Sequence, residues 1–202
     1  MACSSRPNRD ANEGCALEAF LVSVSVIALA EIGDKTQLLA LILAARFRAP
    51  LPVIAGILTA TLANHLAAGA LGTLLATLVS PQLLRWLLVA SFLATALWMV
   101  RPEREPDPAA APARFGAYGT SAISFFLMEI GDKTQVATFA LAAKYHALLA
   151  VVAGTSLGMM LADVPVVLLG EAAARRVPLR WVQRIAAGVM VLLALLALLG
   201  VG

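Results

Sequence analysis

Apolar residues along this chain gather into six long runs, at 17–45, 51–79, 83–100, 117–143, 148–169 and 182–201. Each run is long enough to cross a hydrocarbon core of roughly 30 Å as a helix. β-Branched residues are scattered through them without period-2 alternation, which favours helices over barrel strands. The interruptions are prolines and charges: Arg46, Arg48 and Pro50; Pro81; the stretch 101–114; Lys144 and His146; and 175–180 with Pro178. The stretch 101–114 (RPEREPDPAAAPAR) is rich in Pro, Ala and charge and reads as an exposed linker. The first fifteen residues mix Arg6 and Arg9 with Asp10 and Glu13, and no small-residue cleavage site follows. The first run is therefore expected to stay as a membrane helix, not to act as a signal peptide.

Composition agrees. Of 202 residues, 61% are hydrophobic and only 13% charged, and the mean hydropathy is +0.88. A chain so poor in polar groups cannot clothe the surface of a soluble domain. The net charge of +3 does not point to nucleic acid, because the basic residues flank apolar runs and are not interleaved with aromatics. Cys3 and Cys15 fit no metal-binding spacing; a disulfide within the tail is compatible with them.

The chain repeats itself. Glu31-Ile-Gly-Asp-Lys-Thr-Gln37 returns as Glu129-Ile-Gly-Asp-Lys-Thr-Gln135, and in the same register Arg46 meets Lys144, Phe47 meets Tyr145, Gly56 meets Gly154, His65 meets Asp163 and Gly72 meets Gly170. Such a match implies an internal duplication. Three helices per copy is an odd number, so the second copy enters the membrane with opposite orientation, as in many secondary transporters. The expected fold is an all-α membrane protein with six transmembrane helices, arranged as two inverted-topology three-helix repeats. Its parts are a tail (1–16), repeat one (17–100), a cytoplasmic linker (101–116) and repeat two (117–202). The loops after helices one, three and five carry Arg46, Arg48, Arg101, Arg104, Arg114, Arg175, Arg176 and Arg180, with Arg184 near the start of helix six. The opposite side carries Arg6, Arg9, Arg85 and Lys144. This excess puts the linker in the cytoplasm and both termini outside.

The duplicated motif holds the candidate chemistry. On a continuous helix Glu31 and Asp34 would lie about 60° apart on one face, with Gln37 just beyond, Lys35 about 40° to the other side, and Thr36 turned away unless the helix opens at Gly33. Glu129, Asp132, Lys133, Thr134 and Gln135 repeat the pattern. An ionised carboxylate at the bilayer centre costs at least about 2.5–3.5 kcal/mol. Four at one depth call for a cation. Oxygen ligands suit Ca²⁺, Mn²⁺ or Mg²⁺, and the absence of thiols from the membrane runs disfavours Cu⁺ and Zn²⁺. Gly33 and Gly131 permit a backbone distortion that would free carbonyls as further ligands. The same carboxylates bind protons, so metal and proton compete. A structural alternative is an i,i+4 ion pair within each motif, Glu31 with Lys35 and Glu129 with Lys133, but it leaves Asp34 and Asp132 without partners. The lysines would then serve charge balance, holding carboxylates apart when metal is absent.

Outside the motif, Asn64 and His65 fall in the middle of helix two, and Asp163 in the middle of helix five, two residues before the kink expected at Pro165. These three join Thr36, Gln37, Thr134 and Gln135 as candidate supporting ligands or proton sites. Gly154 and Gly158 form a GxxxG close-packing face. Glu171 is expected to pair with Arg175 at the cytoplasmic surface, and helices three and six are expected to be scaffold.

Two copies of E-x-G-D-K-[ST] in a six-helix chain resemble the Gdt1-like family, grouped with the calcium/cation antiporter superfamily. The segments Ala63-Asn64-His65 and Leu161-Ala-Asp-Val-Pro165 are similar to bacterial members. The resemblance implies exchange of Mn²⁺ or Ca²⁺ for protons, with Glu31, Asp34, Glu129 and Asp132 as metal ligands and Thr36 and Thr134 at the motif's hydroxyl positions. No motif position departs from the pattern. The long leader and acidic central loop of some eukaryotic members are missing, since Glu103, Glu105 and Asp107 are offset by Arg101, Arg104 and Arg114. A compact bacterial manganese exporter of the plasma (inner) membrane is thus implied, with no cofactor beyond the transported ion. Its expected partners are divalent metal ions, protons and the lipid bilayer, with no nucleic acid; a homo-oligomer stays open. Competing readings are an exporter of cationic organic solutes such as basic amino acids, an intramembrane aspartyl protease, and a metal-sensing or scaffold subunit. The protease fits badly, because such enzymes surround their two aspartates with dissimilar motifs.

Overall fold

The computed structural model describes residues 9–99, 115–169 and 179–200. Most of the linker, Gly170, the Glu171–Arg175 pair and Cys3 lie outside them. Among the described residues every regular element is an α-helix. In chain order these are α1 (Arg9–Glu31), α2 (Lys35–Phe47), α3 (Pro50–Leu78), α4 (Pro81–Met99), α5 (Gly116–Glu129), α6 (Lys133–Tyr145), α7 (Leu148–Leu169) and α8 (Leu179–Leu199). Four stretches are long and apolar enough to cross a membrane alone: Glu13–Glu31, Pro50–Leu78, Pro81–Met99 and Leu148–Leu169. The apolar helix Arg184–Leu199 is shorter.

The two runs that carry the motif differ from the continuous helices expected. Each is cut in two at the motif, giving α1 with α2 and α5 with α6. At 14 and 13 residues, α5 and α6 rise about 21 and 20 Å, so neither spans the bilayer by itself. The cause is local. Gly33 (φ 81°) and Gly131 (φ 75°) take the left-handed conformation, which stops one helix and redirects the chain into the next.

The halves also match at the far ends of these short helices. Arg48 (φ 50°) and His146 (φ 53°) are left-handed caps, donating their amides to Ala44 O at 2.9 Å and Ala142 O at 3.0 Å. Pro50 then opens α3 at its first turn, where the missing N–H costs nothing.

Packing crosses between the halves: α7 lies along α1, and α3 along α5 and α6. Small residues make the close approach feasible. A Cβ on Gly154 would sit 2.5 Å from Phe20 O, and one on Gly158 2.7 Å from Val24 O. The GxxxG face is thus used against α1. Gly56, the repeat partner of Gly154, meets α5 in the same way, with Tyr118 O at 2.6 Å. One apolar core joins Ile27, Phe92, Leu141, Met159 and Met190, and a second joins Leu39, Leu43, Ile57 and Phe125 beside the first motif. α4 packs on α8 and on α6. Leu71, Leu149 and Trp181 are more than 60% exposed, a surface suited to lipid and not to water.

These contacts predict a contrast among glycine substitutions. Gly56→Ala and Gly154→Ala should each destabilise the protein by about 1–3 kcal/mol, because the methyl meets backbone. Gly188→Ala, with open space around it, should be neutral or stabilising through helix propensity. Thermal midpoints of the detergent-purified variants check this; equal midpoints for all three would remove the close-packing account.

Candidate metal centre

Both motifs form the same hinge. Asp34 (φ −84°, ψ 167°) and Asp132 (φ −81°, ψ 166°) are extended residues at the starts of α2 and α6, and neither side chain caps its own helix. Their amides donate to the carbonyls of Glu31 and Glu129, at 3.0 and 3.1 Å. The glutamines close the turn. Gly33 N–H donates to Gln37 Oε1 at 2.8 Å, and Gly131 N–H to Gln135 Oε1 at 2.7 Å. Gln37 Nε2 also donates to Ala162 O of α7 at 2.9 Å, in the stretch that Pro165 interrupts. This use of Gln on backbone was not foreseen, although a glycine followed four residues later by an amide was a visible signal.

The opened hinge reassigns the charged side chains. Lys35 Nζ donates to Asp132 Oδ1 at 2.6 Å, and Lys133 Nζ pairs with Asp34 Oδ1. Each lysine thus binds the aspartate of the other motif. These ion pairs run between the motifs and not along the i,i+4 spacing within one, because the break at glycine redirects the chain before each lysine. Asp34 and Asp132, which that spacing left alone, are the partnered acids.

The turn also brings the hydroxyls inward. Thr36 Oγ1 donates to Glu31 Oε2 at 2.5 Å, and Thr134 Oγ1 to Glu129 Oε2 at 3.1 Å. Glu31, Glu129, Thr36 and Thr134 are fully buried, and Asp34, Asp132 and Lys133 nearly so. Oε1 of Glu31, Oε1 of Glu129 and Oδ2 of Asp132 have no hydrogen-bond partner among the described residues. One carboxylate oxygen from each of Glu31, Glu129 and Asp132 lies within 4.8 Å of the other two. Carboxylates at that spacing, each with an oxygen open, beside two hydroxyls and without thiols, form a hard-oxygen donor set suited to a divalent cation.

The remaining candidates divide. Asp163 on α7 is fully buried, neither of its oxygens has a hydrogen-bond partner among the described residues, and it lies within electrostatic range of Glu31 and Glu129. It belongs with the acids. His65 on α3 is equally buried, and neither ring nitrogen is hydrogen-bonded among the described residues. Asn64 donates to Phe126 O of α5 at 3.1 Å, tying α3 to the helix that carries Glu129.

The family model described as "Divalent cation/proton antiporter GDT1" matches residues 19–107 and 117–201, which takes in both motifs. A protein of Vibrio cholerae serotype O1 named "Putative manganese exporter" is 48% identical over 180 residues, covering 89% of this chain and 90% of its own length. No solved structure matches the chain.

The crossed ion pairs make a stability prediction. Lys133→Met should cost about 3–5 kcal/mol, because it strands a carboxylate in a dry site. Lys35→Met should cost less, since the Lys35 side chain is 18% exposed against 3% for Lys133 and water can compensate. Denaturation of the metal-free variants measures the difference, and an equal loss would refute the burial argument.

Proposed function

The chain belongs to the GDT1 family of divalent cation/proton antiporters, and from that premise we propose that it exports Mn²⁺ from the cytoplasm in exchange for protons, with Ca²⁺ as a second substrate. It is a multi-pass membrane transporter and not an enzyme, so the protease reading is set aside. In the proposed arrangement the two halves are inverted three-helix repeats in a bacterial plasma membrane, with both termini outside and the linker cytoplasmic.

The observation that carries this reading is the meeting of carboxylate oxygens from Glu31, Glu129 and Asp132 within 4.8 Å, one from the first motif and two from the second. A site drawn from both motifs suits alternating access, because moving one half against the other changes the site itself. Glu31, Asp34, Glu129 and Asp132 bind the metal in this proposal. Thr36 and Thr134 orient the glutamates. Lys35 and Lys133 hold the aspartates while metal is absent and release them when it arrives. Asp163 supplies a fifth carboxylate, whereas Gln37, Gln135 and Asn64 secure the backbone around the site. Protons occupy the same carboxylates on the return step, so both ions cannot be bound at once.

In proteoliposomes, an imposed pH gradient should drive Mn²⁺ against its concentration gradient, and inverting the pH gradient should reverse the movement. Glu31→Gln and Glu129→Gln should each lower the rate by at least about 100-fold. Thr36→Val should weaken Mn²⁺ binding by roughly tenfold, the usual effect of losing a group that orients a ligand. Mn²⁺ flux that is indifferent to both the gradient and the glutamate substitutions would rule out the exchanger.

A further inference from the structure

Arg85 and Lys144 are exceptions to the charge rule that orients the chain, for in the proposed orientation they lie on the side poor in basic residues. They are far apart in sequence, but both line one cavity of about 340 Å³, together with His146. The cavity opens where the end of α3, the start of α4, the end of α6 and the end of α8 converge. Its other walls include Ala76, Leu84 and Leu88. Arg85 donates from Nη2 to Gln82 Oε1 at 3.1 Å, while its buried Nε has no hydrogen-bond partner among the described residues. Lys144 is held over the Tyr145 ring, its Nζ 5.1 Å from the centroid. His146 is fixed by the left-handed cap of α6. One acid is near: Glu18 lies within electrostatic range of Lys144 and accepts from the Tyr145 hydroxyl at 3.3 Å.

We infer that this cavity binds the phosphate headgroup of an anionic phospholipid, with Arg85 and Lys144 on the phosphate and the apolar walls on the glycerol and upper acyl chain. A guanidinium with an unused donor is suited to a phosphate oxygen, for which its planar fork is preorganised. The cavity's position at helix ends puts it at headgroup level, where a guanidinium and an ammonium group can meet a lipid phosphate. Free phosphate would leave the apolar walls uncovered, so the lipid is the better occupant. The inference stands apart from the transport site, since no residue of the motifs lines the cavity.

Binding is measured by the thermal midpoint of the full chain in detergent, titrated with phosphatidylglycerol, phosphatidylcholine or inorganic phosphate. Phosphatidylglycerol should raise the midpoint in a saturable way, and the other two should not. Arg85→Gln and Lys144→Gln should each weaken the apparent affinity by roughly fivefold, and Arg85→Lys, which keeps the charge, by no more than about twofold. The glutamine variants are compared with wild type in lipid-free midpoint; where one fails to fold, the other and Arg85→Lys are read. An equal shift with phosphatidylcholine, an equal shift with phosphate, or unchanged phosphatidylglycerol affinity in the glutamine variants would overturn the proposal.

Discussion

A helix broken within a membrane must find new partners for the backbone groups it frees, because hydrocarbon offers none. Both breaks here meet that demand alike. A left-handed glycine makes the turn, the aspartate amide returns to the glutamate carbonyl, and a glutamine side chain covers the glycine amide. Everything distinctive about the centre follows from this. Only an opened hinge lets Thr36 reach Glu31 and Thr134 reach Glu129, and only an opened hinge aims each lysine at the opposite half. The seven-residue motif is a device for breaking a helix safely as much as it is a set of ligands.

The two halves share this backbone but not their surroundings. Lys133 is buried while the Lys35 side chain is 18% exposed, and Ile130 is 54% exposed at the second hinge. Asp163 joins the acids from α7, whereas the equivalent place on α3 holds an imidazole, His65. Identical sequences in unequal environments suit the proposed exchange of states: each half can take the other's surroundings only if the halves move relative to one another.

Much of this was legible in the amino-acid pattern. Long apolar runs gave the helical membrane class, and the duplicated motif gave the acids. The GxxxG spacing at Gly154 and Gly158 gave a packing face that α1 does occupy. The ion-pair partners were not legible. Spacing on an ideal helix sets Lys35 against Glu31, and that arithmetic fails once φ at Gly33 becomes positive. Which half a lysine addresses is decided by tertiary packing between segments nearly a hundred residues apart, and local periodicity carries no such information. The division of α5 from α6 was marked only faintly: the run 117–143 holds no proline, and the turn rests on one motif glycine, Gly131.

Charge accounting shows why the lysines cannot be the whole of the neutralisation. Glu31, Asp34, Glu129, Asp132 and Asp163 offer five carboxylates to two ammonium groups. Two ammonium groups cannot balance five carboxylates, which leaves three negative charges to offset in a medium where an uncompensated charge is untenable. A proton on each would make the site neutral but inert. In the proposed cycle a divalent ion replaces two of those protons at the glutamates. Drawing on Asp132 as well, it would compete with Lys35 for the charge of that carboxylate, and so loosen a contact that joins the halves. Binding of the ion and loosening of the crossed pair would then be one event, and that is the physical link between occupancy and movement that an exchanger requires.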